Sequence, residues 1–263
     1  METLPYAASI AAFLSGSMNC FQMTVLPEVI CMNNSSSGLE GIRGKLLGVI
    51  HMGYPSYRVF EDWIALMFFA FQRDDPHYLE IVHSYRNSGK IGEREIDLFS
   101  EALGELLRYL RATNTEAFSR LFTEFAADHY HGQYFTPAHI ADFMARLTMP
   151  CQAVPEKPFL VNDLACGAGA CLVATIKAQT NEVNDRAFFV GQDIDLNCCR
   201  MTALNLMFFN VNGLVIWGNT LTGEIRGAWE TSRDLVMGGS LRPASDATLT
   251  AWRNKQSYRK EQS

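Results

Sequence analysis

The chain has 263 residues, 48% of them hydrophobic and 19% charged, which is enough apolar material for one large or two small cores and excludes a disordered adaptor. Its net charge of −6 is unevenly placed, with fifteen basic and twenty-three acidic residues through position 222 and seven and five after it, so there is no basic stripe to grip duplex DNA unaided. The seven cysteines (Cys20, Cys31, Cys151, Cys166, Cys171, Cys198 and Cys199) are odd in number and lack Cys-x-x-Cys spacing, which argues against a disulfide scaffold or zinc site and for a reducing, cytoplasmic setting.

The chain opens Met1-Glu2, its first basic residue is Arg43, and no uncharged run is apolar and long enough for a membrane span. Neither a secretory signal nor a membrane association is expected. Residues 1–50 contain an apolar stretch at 20–32 and a loop composition at 33–38, with no function to assign. From Tyr57 a helical period appears in Phe60, Trp63, Ile64, Met67, Phe68 and Phe71, and such an aromatic stripe reads as core. Asp74-Asp75-Pro76 ends it and places Pro76 in the first turn of the next helix. The period returns over 96–110 with Phe99, Leu103, Leu106, Leu107 and Leu110, and again over 115–125. Residues 1–127 therefore read as a mostly helical N-terminal domain. His129 and His131 flank Tyr130 without a third ligand, so they read as surface or hydrogen-bonding side chains and no metal is expected.

An α/β domain is expected over 128–240. In Phe135-Thr136-Pro137, ahead of a helical pattern at 138–147, Pro137 suits the first helical turn and Thr136 the cap before it. The apolar run from Phe159 ends in Asp163, passes through Cys166-Gly167-Ala168-Gly169 and reaches a helix near Leu172: a strand, a glycine turn and a helix start. Glycine lets a ligand lie against the main chain, and the helix N-terminus offers unpaired N–H donors. In an open α/β sheet, the crevice past the carboxyl end of such a strand takes a nucleotide-like ligand. Two glycines rather than three favour an adenosine with an amino-acid tail over a pyrophosphate. A second strand, from Phe188, ends in Asp193 and Asp195, and a third, from Leu214, ends in Asn219. A carboxylate at the tip of the second strand can accept from both ribose hydroxyls, a task for Asp193, whereas Asp195 suits a helix N-cap. A helix is expected over 197–210. Beyond Leu221 the sequence suggests only a short strand at 234–237 and, over 241–263, a polar, basic tail.

Gly132-Gln133-Tyr134-Phe135-Thr136-Pro137, Asp163-Leu164-Ala165-Cys166-Gly167-Ala168-Gly169, Gly191-Gln192-Asp193 and Gly218-Asn219-Thr220-Leu221 resemble, in order and spacing, four motifs of N6-adenine DNA methyltransferases. The likeness is greatest to the modification subunits of type I restriction systems, which read Gln-Tyr-Phe-Thr-Pro, Asp-Pro-Ala-Cys-Gly-Ser-Gly, Gly-Gln-Glu and Gly-Asp-Thr-Leu. It covers about residues 128 to 222. It implies a Rossmann-like, S-adenosylmethionine-dependent methyltransferase core preceded by a helical domain, with DNA and a restriction-modification subunit as partners. On the same footing, Tyr134, Phe135 and Thr136 fold over the methionine end of the cofactor, with Thr136 and nearby main chain reaching its carboxylate. Asp163 orients the turn or binds the methionine amino group, and Ala165, Gly167 and Gly169 form the cradle. Asp193 and Ile194 meet the ribose side. Asn219 replaces the usual aspartate, but its oxygen can still accept from the adenine amino group. Leu164 and Ala168 stand where the family has proline and serine.

Transfer to the adenine N6 also needs oxygens that accept the hydrogens of the amine and an aromatic ring stacked on the flipped base. The family supplies them with Asn/Asp-Pro-Pro-Phe/Tyr. Here neither Asn-Pro nor Pro-Pro occurs, and the only Asp-Pro is Asp75-Pro76 in the helical region. The core thus reads as shortened after the third sheet motif, with no catalytic residue assigned. Three readings follow: a cofactor-binding relative unable to methylate alone, an active adenine methyltransferase working alone or with a partner subunit, and a non-catalytic interaction protein with a vestigial fold.

Overall fold

The computed structural model describes residues 37–129, 133–149, 154–234 and 238–260. Its first half is helical because apolar side chains recur there at three- and four-residue steps. After a short 3-10 turn come α1 (Glu40–His51), α2 (Ser56–Gln72), α3 (Asp75–His83), α4 (Glu95–Thr113) and α5 (Phe118–Phe125). Along α2, Val59, Phe60, Trp63, Ile64, Met67 and Phe68 are buried, and Arg73 ends the helix with a left-handed φ of 59°. Asp74 then caps α3 by accepting from the His77 N–H, with Pro76 inside the first turn as expected. Trp63 packs edge-on against Phe118, and its indole N–H, which would be costly to bury unpaired, donates to the Phe99 carbonyl at 3.2 Å. The start of α5 falls three residues later than periodicity suggests, because the buried carboxylate of Glu116 accepts from the Ser119 N–H and holds the chain outside the helix.

The second half runs α6 (Ala138–Thr148), β1 (Phe159–Asp163), α7 (Ala170–Ala178), the short α8 (Asn181–Asn184), β2 (Ala187–Asp193), α9 (Leu196–Phe208), β3 (Gly213–Asn219), β4 (Glu224–Ser232), β5 (Ser240–Pro243) and α10 (Asp246–Lys260). The five strands lie in sequence order, with β1, β2 and β3 parallel through helical crossovers and β4 and β5 antiparallel. Strand alternation gives the sheet two apolar faces. Phe159, Val161, Phe189 and Val215 face α7 and α9, while Val190, Leu214 and Ile216 pack on Trp252 of α10. The first face shares one continuous core with the N-terminal helices: Phe68 meets Trp229 at 5.1 Å and Phe71 meets Phe208 at 5.5 Å.

Two expectations are corrected. Pro137 is the N-cap of α6 and not part of its first turn: its ψ of 141° is extended, and only ψ distinguishes the two places, since the ring fixes φ in both. Thr136 therefore stands one residue ahead of the cap. Beyond Leu221, β3 and β4 form a hairpin through Gly223 at φ 75°, and the chain goes on through β5 into α10 where a polar tail was expected. Residues 235–237, where a short strand was expected, lie outside the described residues, as do Tyr130, His131, Gly132 and the N-terminal stretch 1–36.

Candidate functional site

Register places the polar strand ends together. Asp163 aligns with Gly191, two residues before Asp193, and Asp193 aligns with Trp217, two residues before Asn219. Side chains two apart share a face of a strand, so Asp163, Asp193 and Asn219 all project on the face that carries α7 and α9.

Between β1 and α7 the chain makes the glycine turn. Asp163 accepts the Ala165 N–H at 3.2 Å, the Cys166 N–H donates to the Gln192 carbonyl at 3.0 Å, and the Gly167 N–H donates to Asp193 Oδ2 at 2.9 Å. Gly167 and Gly169 have φ of 53° and 84°, the left-handed region where a Cβ is strained. A Cβ on Gly167 would also stand 2.8 Å from the Phe135 ring, and one on Gly169 would stand 3.0 Å from Thr202 Oγ1.

Helix α9 pins this turn from below, which the sequence did not disclose. Thr202 Oγ1 donates to the Gly167 carbonyl at 2.8 Å and Asn205 Nδ2 to the Ala168 carbonyl at 2.7 Å, both from fully buried side chains. Beside Asn205 lies Glu116, at the start of α5, whose carboxyl burial pushes above the usual carboxylate range. In the sequence, Thr202 and Asn205 were ordinary members of an apolar helix.

The Gln133–Thr136 segment lies along the other side of the turn. Gln133 Nε2 donates to Asp195 Oδ2 at 3.2 Å, Thr136 lies beside Cys171 at the start of α7, and Phe135 stacks edge-on against Phe122 at 4.7 Å. Tyr134 instead points outward, 93% exposed. His129 stacks on Tyr57 with ring centroids 3.8 Å apart, away from any ligand cluster. Asp195 is the N-cap of α9, accepting from the Asn197 and Cys198 N–H groups at 2.7 and 3.0 Å.

Asn219 departs from the role first read for it. Its Oδ1 accepts the Leu221 and Thr222 N–H groups at 2.9 and 3.3 Å, so that oxygen already holds the turn after β3. Asp193 Oδ1 likewise accepts the Asp195 N–H at 3.0 Å. Large apolar side chains fringe the three strand ends: Leu164 is 45% exposed, Ile194 57% and Leu221 95%. Only Ile194 was singled out from the sequence. The signal for the other two was position, one or two residues past a polar strand end. Thr220 Oγ1 donates to the Leu164 carbonyl at 2.8 Å and Trp217 Nε1 to that of Ile194 at 3.0 Å, so both loops are tied to β3.

Burial, reinforced by the Asp193 carboxylate, raises the Asp163 pKa above its ordinary value. Burial likewise raises the thiols of Cys166, Cys198 and Cys199, which leaves them protonated and inert. Among the described residues no cluster could hold a metal ion, and no helix is long and apolar enough to cross a membrane.

The sequence pattern of the N-6 DNA methylase family matches residues 113–246, just over half of the chain and the whole of this site. The chain belongs to the N-6 DNA methylase family. It is similar to the type I restriction enzyme MpnII methylase subunit of Mycoplasma pneumoniae, with 32% identity over 104 residues, which is 38% of this chain and 18% of that subunit. This family member thus matches only a small part of its curated relative's length. The crystal structure of a type I restriction-modification methyltransferase subunit from Streptococcus thermophilus aligns over 68% of this chain and 57% of its own, with a TM-score of 0.37 and 11% identity.

Proposed function

We propose that the chain binds S-adenosylmethionine at the carboxyl ends of β1, β2 and β3 and serves adenine-specific DNA modification as a donor-binding component that cannot methylate by itself. The observation that carries this reading is the convergence of Asp163, Asp193 and Asn219 on one sheet face around a turn built from two left-handed glycines.

The residues fit such a ligand. The bend at Gly167 lacks room for a side chain, and Asp193, although it accepts one N–H on each oxygen, keeps a lone pair on each for the two ribose hydroxyls. Leu164, Ile194 and Leu221 offer apolar surface to a flat base, and the Asn219 amide can donate to a ring nitrogen of adenine. Asp163 is held partly desolvated beside a second carboxylate, a setting that a bound ammonium group would relieve. Tyr134, Phe135 and Thr136 flank the methionine end, and Ala165 contributes main chain. When bound, S-adenosylmethionine supplies an electrophilic methyl group on a sulfonium. The residues named here hold and orient that donor.

The amine-handling side is different. With no Asn-Pro or Pro-Pro dipeptide in the chain, the paired acceptors and stacked ring that N6 transfer requires come from a partner subunit, which also supplies much of the contact with DNA. The test is calorimetric titration with S-adenosylmethionine, followed by transfer of a labelled methyl group to unmodified DNA. Saturable binding without transfer is the expected result. Transfer by the chain alone would refute the division of labour, and a well-folded chain that binds nothing would refute the cofactor reading.

A further inference from the structure

β3 and β4 pair regularly from Gly213 to Trp217, where the register passes from Trp217–Gly227 to Gly218–Ile225 and leaves Arg226 as the extra residue of a β-bulge. Two glycines give the bulge its space. A Cβ on Gly218 would overlap the Glu224 carbonyl oxygen, and one on Gly227 would stand 3.4 Å from the Trp217 ring and 3.1 Å from the Trp229 ring. The bulge turns Arg226 back onto Trp217. Its guanidinium lies 5.9 Å from the centre of the Trp217 ring, and Glu224 holds it through two hydrogen bonds, Nε to Oε1 at 3.1 Å and Nη2 to Oε2 at 3.0 Å.

The same indole is fixed at its polar edge, since Nε1 donates to the Ile194 carbonyl at 3.0 Å. With a cation over the ring, Gly227 beside it and its N–H bonded, it has little freedom to turn. Trp217 also belongs to the strand ends of the candidate site. It is the register partner of Asp193 and, two residues before Asn219, projects on the same face of the sheet. What it grips is the residue after Asp193, whose side chain is 57% exposed. Isoleucine is stiff about χ1, so a held main chain at Ile194 also holds the side chain. Thr220 ties the Leu164 carbonyl in a similar way but from the turn itself, whereas Trp217 acts from within a paired strand.

We infer that Trp217 is a positioning residue for the base of the donor, acting through Ile194: its indole N–H fixes the Ile194 main chain, and with it the apolar side chain that the base meets. Arg226 and Gly227 keep the indole in the orientation this bond needs. The inference rests on the cofactor reading and deepens it, because it makes one wall of the base site a built feature of the β3–β4 hairpin.

The test is calorimetric titration of S-adenosylmethionine into the parent, Trp217→Phe, Ile194→Ala and the double variant, with a melting temperature for each. Trp217→Phe keeps an aromatic ring and deletes the N–H, so affinity should fall about three- to tenfold. In the Ile194→Ala background, where the side chain being positioned is gone, the same substitution should cost less than about twofold. Arg226→Ala, at an exposed side chain that leaves the fold intact, should cost about twofold by freeing the ring. A residue that only stabilises the fold would lower the melting temperature of Trp217→Phe and leave the affinity of the folded molecules unchanged, which overturns the inference. Equal losses in both backgrounds would mean that the indole acts on the donor directly, and an Arg226→Ala variant as tight as the parent would mean that the bulge holds nothing; either overturns it. A folded parent that binds nothing removes the cofactor reading and this inference with it, whereas binding by the parent and equally by Trp217→Phe removes this inference alone.

Discussion

From Leu39 to Phe125 apolar side chains face one another, and Phe60, Trp63, Phe118 and Phe122 are at most 2% exposed. Around the carboxyl ends of β1, β2 and β3 the arrangement is inverted: Leu164, Ile194 and Leu221 reach into solvent, while the Asp163 carboxyl beside them is kept above its ordinary pKa by burial. The first region uses its residues to stabilise the fold. The second holds groups where they cost stability, which is characteristic of surfaces that have a ligand to satisfy. α9 belongs to both, since Met201, Leu204 and Leu206 join the common core while Thr202 and Asn205 hold the glycine turn in shape.

If the two regions are separable in this way, substitutions should sort by what they disturb. The largest effect is expected from Trp63→Ala, which should cost about 3–5 kcal/mol in denaturant unfolding, with donor affinity of the remaining folded molecules unchanged. A matching loss of affinity would break the distinction. Asp193→Ala should weaken S-adenosylmethionine binding by about 1–3 kcal/mol in calorimetry. Because its oxygens also accept from Gly167 and Asp195, Asp193→Asn, which keeps one acceptor oxygen, should lose less. Leu221→Ala removes a side chain that is 95% exposed, so the melting temperature should hold while affinity falls by about 1 kcal/mol.

Asp163→Asn should give the smallest and most diagnostic change. A carboxyl whose pKa is raised in the folded state contributes stability that is complete below its unfolded pKa and is lost as pH rises through the folded value. The asparagine variant lacks this loss, so in melting experiments it should gain on the parent from mildly acidic pH upward and show no such gain in strong acid. Its donor affinity should move the other way, because an amide cannot neutralise a bound ammonium. A variant that loses both stability and affinity would mean that Asp163 is structural only.

What the sequence disclosed follows the range of the interactions. The helices of the first half were legible because their periodicity is local, as in Phe60, Trp63 and Met67. The strand ends Asp163, Asp193 and Asn219 were legible because each closes an apolar run. The support from α9 was not, since Thr202 meets Gly167 across 35 positions and nothing local marks the meeting. The β4–β5 pair was hidden for the same reason: Glu230 is matched only when Arg242 arrives from β5. Asn219 kept its predicted place while its oxygen went to the Leu221 and Thr222 amides, a local turn that composition alone does not distinguish from a free acceptor.

The most direct measurement is titration of the folded chain with S-adenosylmethionine beside its Asp193→Ala variant. The account predicts saturable heat with one donor per chain and a weakened isotherm for the variant. A correctly folded parent that gives no heat, or a variant that binds as tightly as the parent, would contradict it.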